Sequence, residues 1–193
     1  MSAFDFNTAD RQSSSGRGEP IPDGTVAPVL MTLRGIKASK TGAQGLDLEF
    51  TVTAGPFAKR KAWKWMGIDS TTQTESHQKM MAISRSAIRA MLESAYGVDP
   101  TDDSPTAMDA RRISDWEDLD QLEFLARFSI EKGSEYRDAS GNMVKGGDKN
   151  EVKAVTPNDP DYAGFKPARK KAATKASHSA PAAKSGSRPG WAS

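Results

Sequence analysis

The 193-residue chain predicts a mainly β fold with one long helix. Three observations predict it. Apolar and polar residues alternate in several separate runs, which is the period of a half-buried strand. Gly and Pro punctuate those runs where turns are wanted. One central run changes to helical spacing.

Pro22-Asp23-Gly24 reads as a turn that opens the fold. Val29, Met31 and Leu33 alternate with Leu30, Thr32 and Arg34 as a first strand, and Gly35 predicts a bulge or sharp bend. Thr41 to Gly45 reads as a loop. Leu46, Leu48, Phe50 and Val52 alternate with Asp47, Glu49, Thr51 and Thr53 in the cleanest strand of the chain. Gly55-Pro56 ends it, and Ala62 to Ile68 forms a third strand.

A helix follows. Thr72-Gln73-Thr74-Glu75 fits a capping box, Met80, Ile83, Ala87, Ile88, Met91 and Leu92 recur at helical spacing, and Gly97 suits a C-terminal cap. Asp99 to Asp120 is acidic and loop-like. Leu122 to Ile130 is a fourth strand, Gly133 to Lys149 a long polar hairpin loop, and Glu151 to Val155 a short fifth strand before Pro157.

Mean hydropathy is −0.63, low for a chain folded throughout. The deficit falls at the ends, so residues 1–20 read as a flexible arm, 21–160 as the folded domain and 161–193 as a disordered basic tail. The net charge of +2 conceals an asymmetry: from Gly164 onward there are seven basic residues and no acid, against 20 basic and 25 acidic residues before it. A nucleic-acid site in the body must therefore be a local patch. No cysteine is present, which excludes disulfides and thiolate metal sites and fits the cytoplasm of a bacterial cell. No run is long enough to span a membrane, and Met1 to Gly18 holds no apolar segment of a secretory signal.

Strand, strand, strand, helix, strand, strand is the order of an OB-fold: a five-stranded Greek-key barrel with a helix between strands three and four. Such barrels bind oligonucleotides across strands two and three and through the loops joining strands one to two and four to five. The third strand carries the most telling stretch, Lys59-Arg60-Lys61-Ala62-Trp63-Lys64-Trp65. Period two puts Trp63 and Trp65 on one face. Flat aromatics stack on any base, and neighbouring cations meet the phosphates. The alternative is a core role for both tryptophans, with Met66 and Ile68 then facing outward. Lys37 and Lys40 fall in the first of the two loops, and Tyr136, Arg137, Lys145 and Lys149 in the second. Arg34 and Arg127, on the first and fourth strands, are counted with the binding residues. Asp47 and Glu49 would narrow the binding face.

Catalytic chemistry has little to stand on. The two histidines, His77 and His178, form no triad with a serine and an acid, and no phosphate-binding glycine loop is present. Asp115, Glu117, Asp118 and Asp120 lack the glycine and terminal Glu of a calcium loop. No catalytic residue, metal or cofactor is expected. Trp116 is expected to cover an end of the barrel, and Trp191 to lie in the tail.

Four segments carry a resemblance: Ile21-Pro22-Asp23-Gly24-Thr25, Leu46-Asp47-Leu48-Glu49-Phe50, Gly55 to Lys61, and Gly147-Asp148-Lys149-Asn150-Glu151-Val152-Lys153. Over residues 20–160 the chain resembles a bacteriophage family long catalogued as a domain of unknown function and found near phage replication and recombination genes. Its members look like OB-type single-stranded DNA-binding proteins. The resemblance implies a non-catalytic protein that coats single-stranded DNA and works beside a phage recombinase, nuclease or polymerase; phosphate contacts or self-association, as a homo-oligomer, are expected to add to the affinity of the two indoles. A protein-interaction module on the same barrel is the other reading. The chain departs from the pattern in its basic tail and in the long insertion at Thr101 to Arg112.

Overall fold

The structure, a computed structural model, describes residues 19–39, 42–70, 74–138 and 140–167. The expected N-terminal arm up to residue 18, the tail from residue 168, Lys40, Thr72, Gln73 and Trp191 lie outside the described residues.

The main-sheet strands are β1 (Val26–Ala38), β2 (Ala43–Val52), β3 (Lys61–Ser70), β4 (Leu122–Glu131) and β7 (Lys149–Ala154). They form one antiparallel five-stranded sheet in the order β3-β2-β1-β4-β7. Among the described residues no ladder joins the two edge strands, β3 and β7, and the five strands are described as one antiparallel sheet. The edges are nevertheless close, and a Lys64–Glu151 ion pair of 3.5 Å spans them.

One face of the sheet is the core. Val29, Met31, Leu46, Leu48, Phe50 and Phe124 are fully buried, and Phe50 meets Phe124 edge-to-face at 5.9 Å. Helix α1 (Glu75–Tyr96) closes this core with Ile88, Met91, Leu92 and Ala95. Thr74 caps its start by accepting the His77 N–H, and Gly97, at φ 66°, ends it in the left-handed region that favours glycine. The N-cap is thus Thr74 and not Thr72.

Gly35 adopts φ 135°, and the β1–β2 register shifts between Leu33 and Gly35, as its bulge predicts. The turn at Pro22 is made by Thr25 N–H donating to the Pro22 carbonyl, with Gly24 N–H reaching Phe128. Three expectations need correction. Ala43 to Gly45 belong to β2, because Ser39 closes the preceding turn by accepting the Ala43 N–H. The acidic segment is not all loop. It holds a short helix α2 (Pro105–Ala110) and a 3-10 turn at Trp116–Leu119. The Gly133 to Lys149 loop contains its own hairpin, β5 (Glu135–Arg137) paired with β6 (Met143–Lys145).

The insertion is held by Glu93. Its carboxylate, nearly buried on α1, accepts from Arg89 at 2.8 Å and Arg111 at 2.7 Å, while Arg111 also donates to the Asp99 and Asp102 carbonyls. Beyond residue 160 the chain stays on the body. The Tyr162 hydroxyl donates to the Ser94 carbonyl at 2.6 Å, Phe165 packs on the Tyr162 ring, and Pro167 sits against Gly97. No helix among the described residues is long and apolar enough to cross a membrane.

Candidate nucleic-acid interface

The register of β2 with β3 decides which side of β3 is buried. Phe50 pairs with Ala62 and Leu46 with Met66, so Ala62 and Met66 enter the core. Glu49 pairs with Trp63 and Asp47 with Trp65, which puts both tryptophans on the outer face. Trp63 is 52% exposed. Trp65 is half-buried because its indole lies on Gly45, the one β2 position there with no side chain, and its Nε1–H donates to the Lys37 carbonyl at 3.3 Å.

Glu49 is the electrostatic centre of this face. It is 9% exposed, and it accepts from Lys61 at 2.6 Å, Arg34 at 3.0 Å and the Trp63 Nε1–H at 3.0 Å. The hydrogen bond from Lys61 holds its carboxyl below the ordinary value, against the opposing effect of burial, with Trp63 and Arg34 adding to it. Arg34 reaches this carboxylate from the bulge of β1. Beside it, Lys37 pairs with Asp47 at 2.5 Å. Three cations therefore surround two carboxylates and two indoles. The indole edge of Trp63 is tied down while half of its surface faces solvent, with Arg34 and Lys61 at its rim.

The expected residues divide into groups. Arg34, Lys37, Lys61, Trp63 and Trp65 are brought together, although Lys37 lies in β1 and not in a loop. Lys59 and Arg60 precede β3 and belong to the turn. Lys59 has φ 70°, and Arg60 donates to the Glu19 carbonyl. Lys64 is not on the tryptophan face, since it pairs with the buried Leu48 and turns toward Glu151. Arg127 is engaged by Asp159 at 2.9 Å and Asp161 at 2.8 Å, which raise its already high pKa and tie β4 to the segment after β7. Tyr136, 54% exposed, and Lys145 stand on the β5–β6 hairpin. Lys40 lies outside the described residues.

Gly45, which seats the Trp65 ring, reads from the sequence only as part of a loop. A glycine one strand away from an outward tryptophan was its signal, because a ring can lie flat only where no Cβ intervenes. Asp115 and Asp118 are spent on the Trp116–Leu119 turn: each accepts backbone N–H groups in a reciprocal cap. Trp116 packs against the core, as expected of a cover.

No protein-family model matches the chain, and no curated protein matches it.

Proposed function

We propose that this chain is a non-catalytic OB-type protein that binds single-stranded DNA through the outer face of β2 and β3, in phage replication or recombination. The observation that carries the reading is Trp63, half exposed between Arg34 and Lys61 and oriented by Glu49. The strand order and the approach of β3 to β7 support the OB-type part. Trp63 stacks on a base, Arg34 and Lys61 exchange part of their contact with Glu49 for phosphate, and Trp65 extends the surface. The phage setting rests on the resemblance of the four short segments. It also supplies the expected partners, a recombinase, nuclease or polymerase of the same phage.

Stacking contributes roughly 1–3 kcal/mol per base, so two indoles supply about 2–6 kcal/mol, short of the roughly 8 kcal/mol of micromolar binding. Phosphate contacts or self-association make up the difference. The test is titration with oligo-dT while tryptophan emission is followed. Quenching that Trp63→Ala removes supports the reading. Unquenched emission at micromolar protein and low salt overturns it.

A second reading is favoured by Asp47 and Glu49, two carboxylates on the same face. On it, the tryptophans grip a protein partner of the replication machinery. A face that binds no oligonucleotide at low salt, yet loses a partner protein on Trp63→Ala, decides for it.

A further inference from the structure

The β5–β6 hairpin stands clear of the body. Its strands pack on each other, and among the described residues neither makes a comparable contact with the main sheet or with α1. Glu135, Tyr136 and Arg137 of β5 are all exposed, as are Met143 and Lys145 of β6. A two-stranded hairpin alone in water is marginally stable. The base of this one is fastened: Gly146 N–H donates to the Ser134 carbonyl at 2.9 Å, and Gly133 N–H to the Asp148 carboxylate at 3.0 Å. The hairpin is therefore fixed at its root while its outer strand β5 is uncovered.

The hydrogen-bond pattern decides which groups face outward. Asp138 N–H donates to the Asn142 carbonyl and Gly146 N–H to that of Ser134, so Asp138–Asn142 and Ser134–Gly146 are bonded pairs. Bonded and non-bonded pairs alternate along an antiparallel ladder, so Tyr136–Val144 is bonded as well. Glu135 and Arg137 then turn their N–H and C=O groups away from β6, onto an edge that no strand pairs with among the described residues. Such an edge is a template for another strand.

The side chains decide which strand fits. Glu135-Tyr136-Arg137 reads acid, aromatic, base, and an antiparallel copy of it reads base, aromatic, acid. When two β5 strands pair about Tyr136, Glu135 of each copy faces Arg137 of the other, and the two tyrosines face each other. The outward N–H and C=O groups of Glu135 and Arg137 meet in that register, and a slip of one residue would lose them. Opposite charges and aromatic pairs across strands both stabilise a sheet. No ion pair among the described residues holds Glu135 or Arg137, and the Arg137 guanidinium donates to the Gly141 carbonyl. Strand β6 lacks this symmetry, because Met143-Val144-Lys145 paired with itself would set lysine against methionine. Pairing β5 with β6 of the next copy would match Glu135 with Lys145 alone and build an open chain.

We propose that two copies of this chain join edge to edge through β5, antiparallel about a two-fold axis at Tyr136. The two hairpins become one continuous sheet, closed by symmetry in the commonest arrangement of soluble oligomers. Tyr136 and Val144 of both copies share one face of it, and the Glu135–Arg137 pairs lie on the other. The dimer does not use the tryptophan face and is measured without DNA, so this inference and the DNA-binding reading fail separately.

Sedimentation equilibrium of the full chain, without DNA and at up to about 1 mM protein, should show a monomer–dimer equilibrium, since so small an interface is weak. Arg137→Glu and Glu135→Arg should each weaken the dimer by about tenfold, because like charges then face each other across the axis. Mixing the two variants should restore association, as each complements the other. The mixture thereby separates lost pairing from a hairpin that has lost its shape. The chain has no cysteine. Facing residues of a non-bonded pair lie about 4.5 Å apart at Cα, within reach of a disulfide. Tyr136→Cys should therefore cross-link on mild oxidation about tenfold faster than Met143→Cys, which is similarly exposed but lies away from the axis. The proposal is overturned if the chain stays monomeric, if it grows past the dimer, if either charge reversal leaves association unchanged, if the mixture does not associate, or if the two cysteine variants cross-link alike.

Discussion

The Trp65 indole lies directly on Gly45: a Cβ at that glycine would sit 2.3 Å from Cε2 and 2.4 Å from Cζ2 of the ring. No side chain fits in that space. The glycine therefore fixes the tilt of the second tryptophan on the outer face, and the Lys37 carbonyl holds the ring nitrogen in place.

Gly45→Ala should displace that ring. The expected cost is about 1–3 kcal/mol, the range for forcing an extra carbon into a packed site. Emission should shift toward the red as the indole swings into water, and affinity for oligo-dT should fall. A denaturant melt with fluorescence detection reads both effects. An unshifted spectrum would mean that the ring does not rest on Gly45 in solution.

Trp63→Ala should leave the fold intact, because the indole is half exposed and rests on the outside of the sheet. Loss of its stacking should weaken oligo-dT binding by about 5- to 150-fold, equivalent to roughly 1–3 kcal/mol. Isothermal titration on the variant, with circular dichroism as the folding control, measures it.

Glu49→Gln should act in opposite directions on stability and affinity. The native carboxyl lies below its ordinary value of 4.5, so its stabilising contribution is complete above pH 4.5 and is lost as pH falls through the lower native value. The variant should lose about 1 kcal/mol of stability at neutral pH and show a flatter stability profile as pH falls below the ordinary carboxyl value of 4.5. Removing the charge also frees Arg34 and Lys61 for phosphate. Affinity for oligo-dT should rise about fivefold at low salt, the worth of about 1 kcal/mol of repulsion relieved at 4 Å in water. A fall in affinity would show that orienting Trp63 matters more than releasing the cations.

Arg111→Ala should leave Glu93 with Arg89 alone. Breaking a nearly buried pair costs about 3 kcal/mol, and the loss should appear as a lower thermal midpoint. Hydrogen exchange should quicken from Val98 to Arg112, where Arg111 also holds two carbonyls. Oligo-dT affinity should be unaltered, because the insertion is fastened to α1 and not to the tryptophan face.

Truncation after Pro167 should retain stability, whereas truncation after Tyr162 should lower it by removing Phe165 from the Tyr162 ring and Pro167 from Gly97. The segment beyond Pro167 carries six cations, Arg169, Lys170, Lys171, Lys175, Lys184 and Arg188. If all six meet phosphates of a single strand, the slope of log affinity against log salt should become shallower by about 4 on their removal. Comparing the two slopes on oligo-dT and on duplex measures how far the tail contributes, and an unchanged slope would show that it touches no DNA. Loss of all binding on truncation would move the site from the sheet to the tail.

Much of the sheet was legible because strand and helix periods differ. Leu46 to Val52 and Leu122 to Phe128 alternate as the core demands, and Gly35 and Gly97 mark a bulge and a cap that need their backbone freedom. The hairpin β5–β6 was hidden, since two three-residue strands of exposed polar sequence have no period to read. Trp63 and Trp65 could be assigned to a common face but not to the outer one, because Met66 and Ile68 offered the opposite register equally well. The pairing of Ala62 with Phe50 made that choice.

The sequence by itself determined the order of strands and helix, the basic tail and the cluster of cations near two tryptophans, because these depend on local period and composition. Only the tertiary structure decided which cations stand together. Lys64 and Arg127 read as members of the cluster, yet Glu151 takes one and Asp159 and Asp161 take the other. Arg34 and Lys61 instead converge on Glu49 beside Trp63. An ion pair forms between groups that folding brings within a few ångströms, and those distances are set by strand register and by the bulge at Gly35, not by separation along the chain.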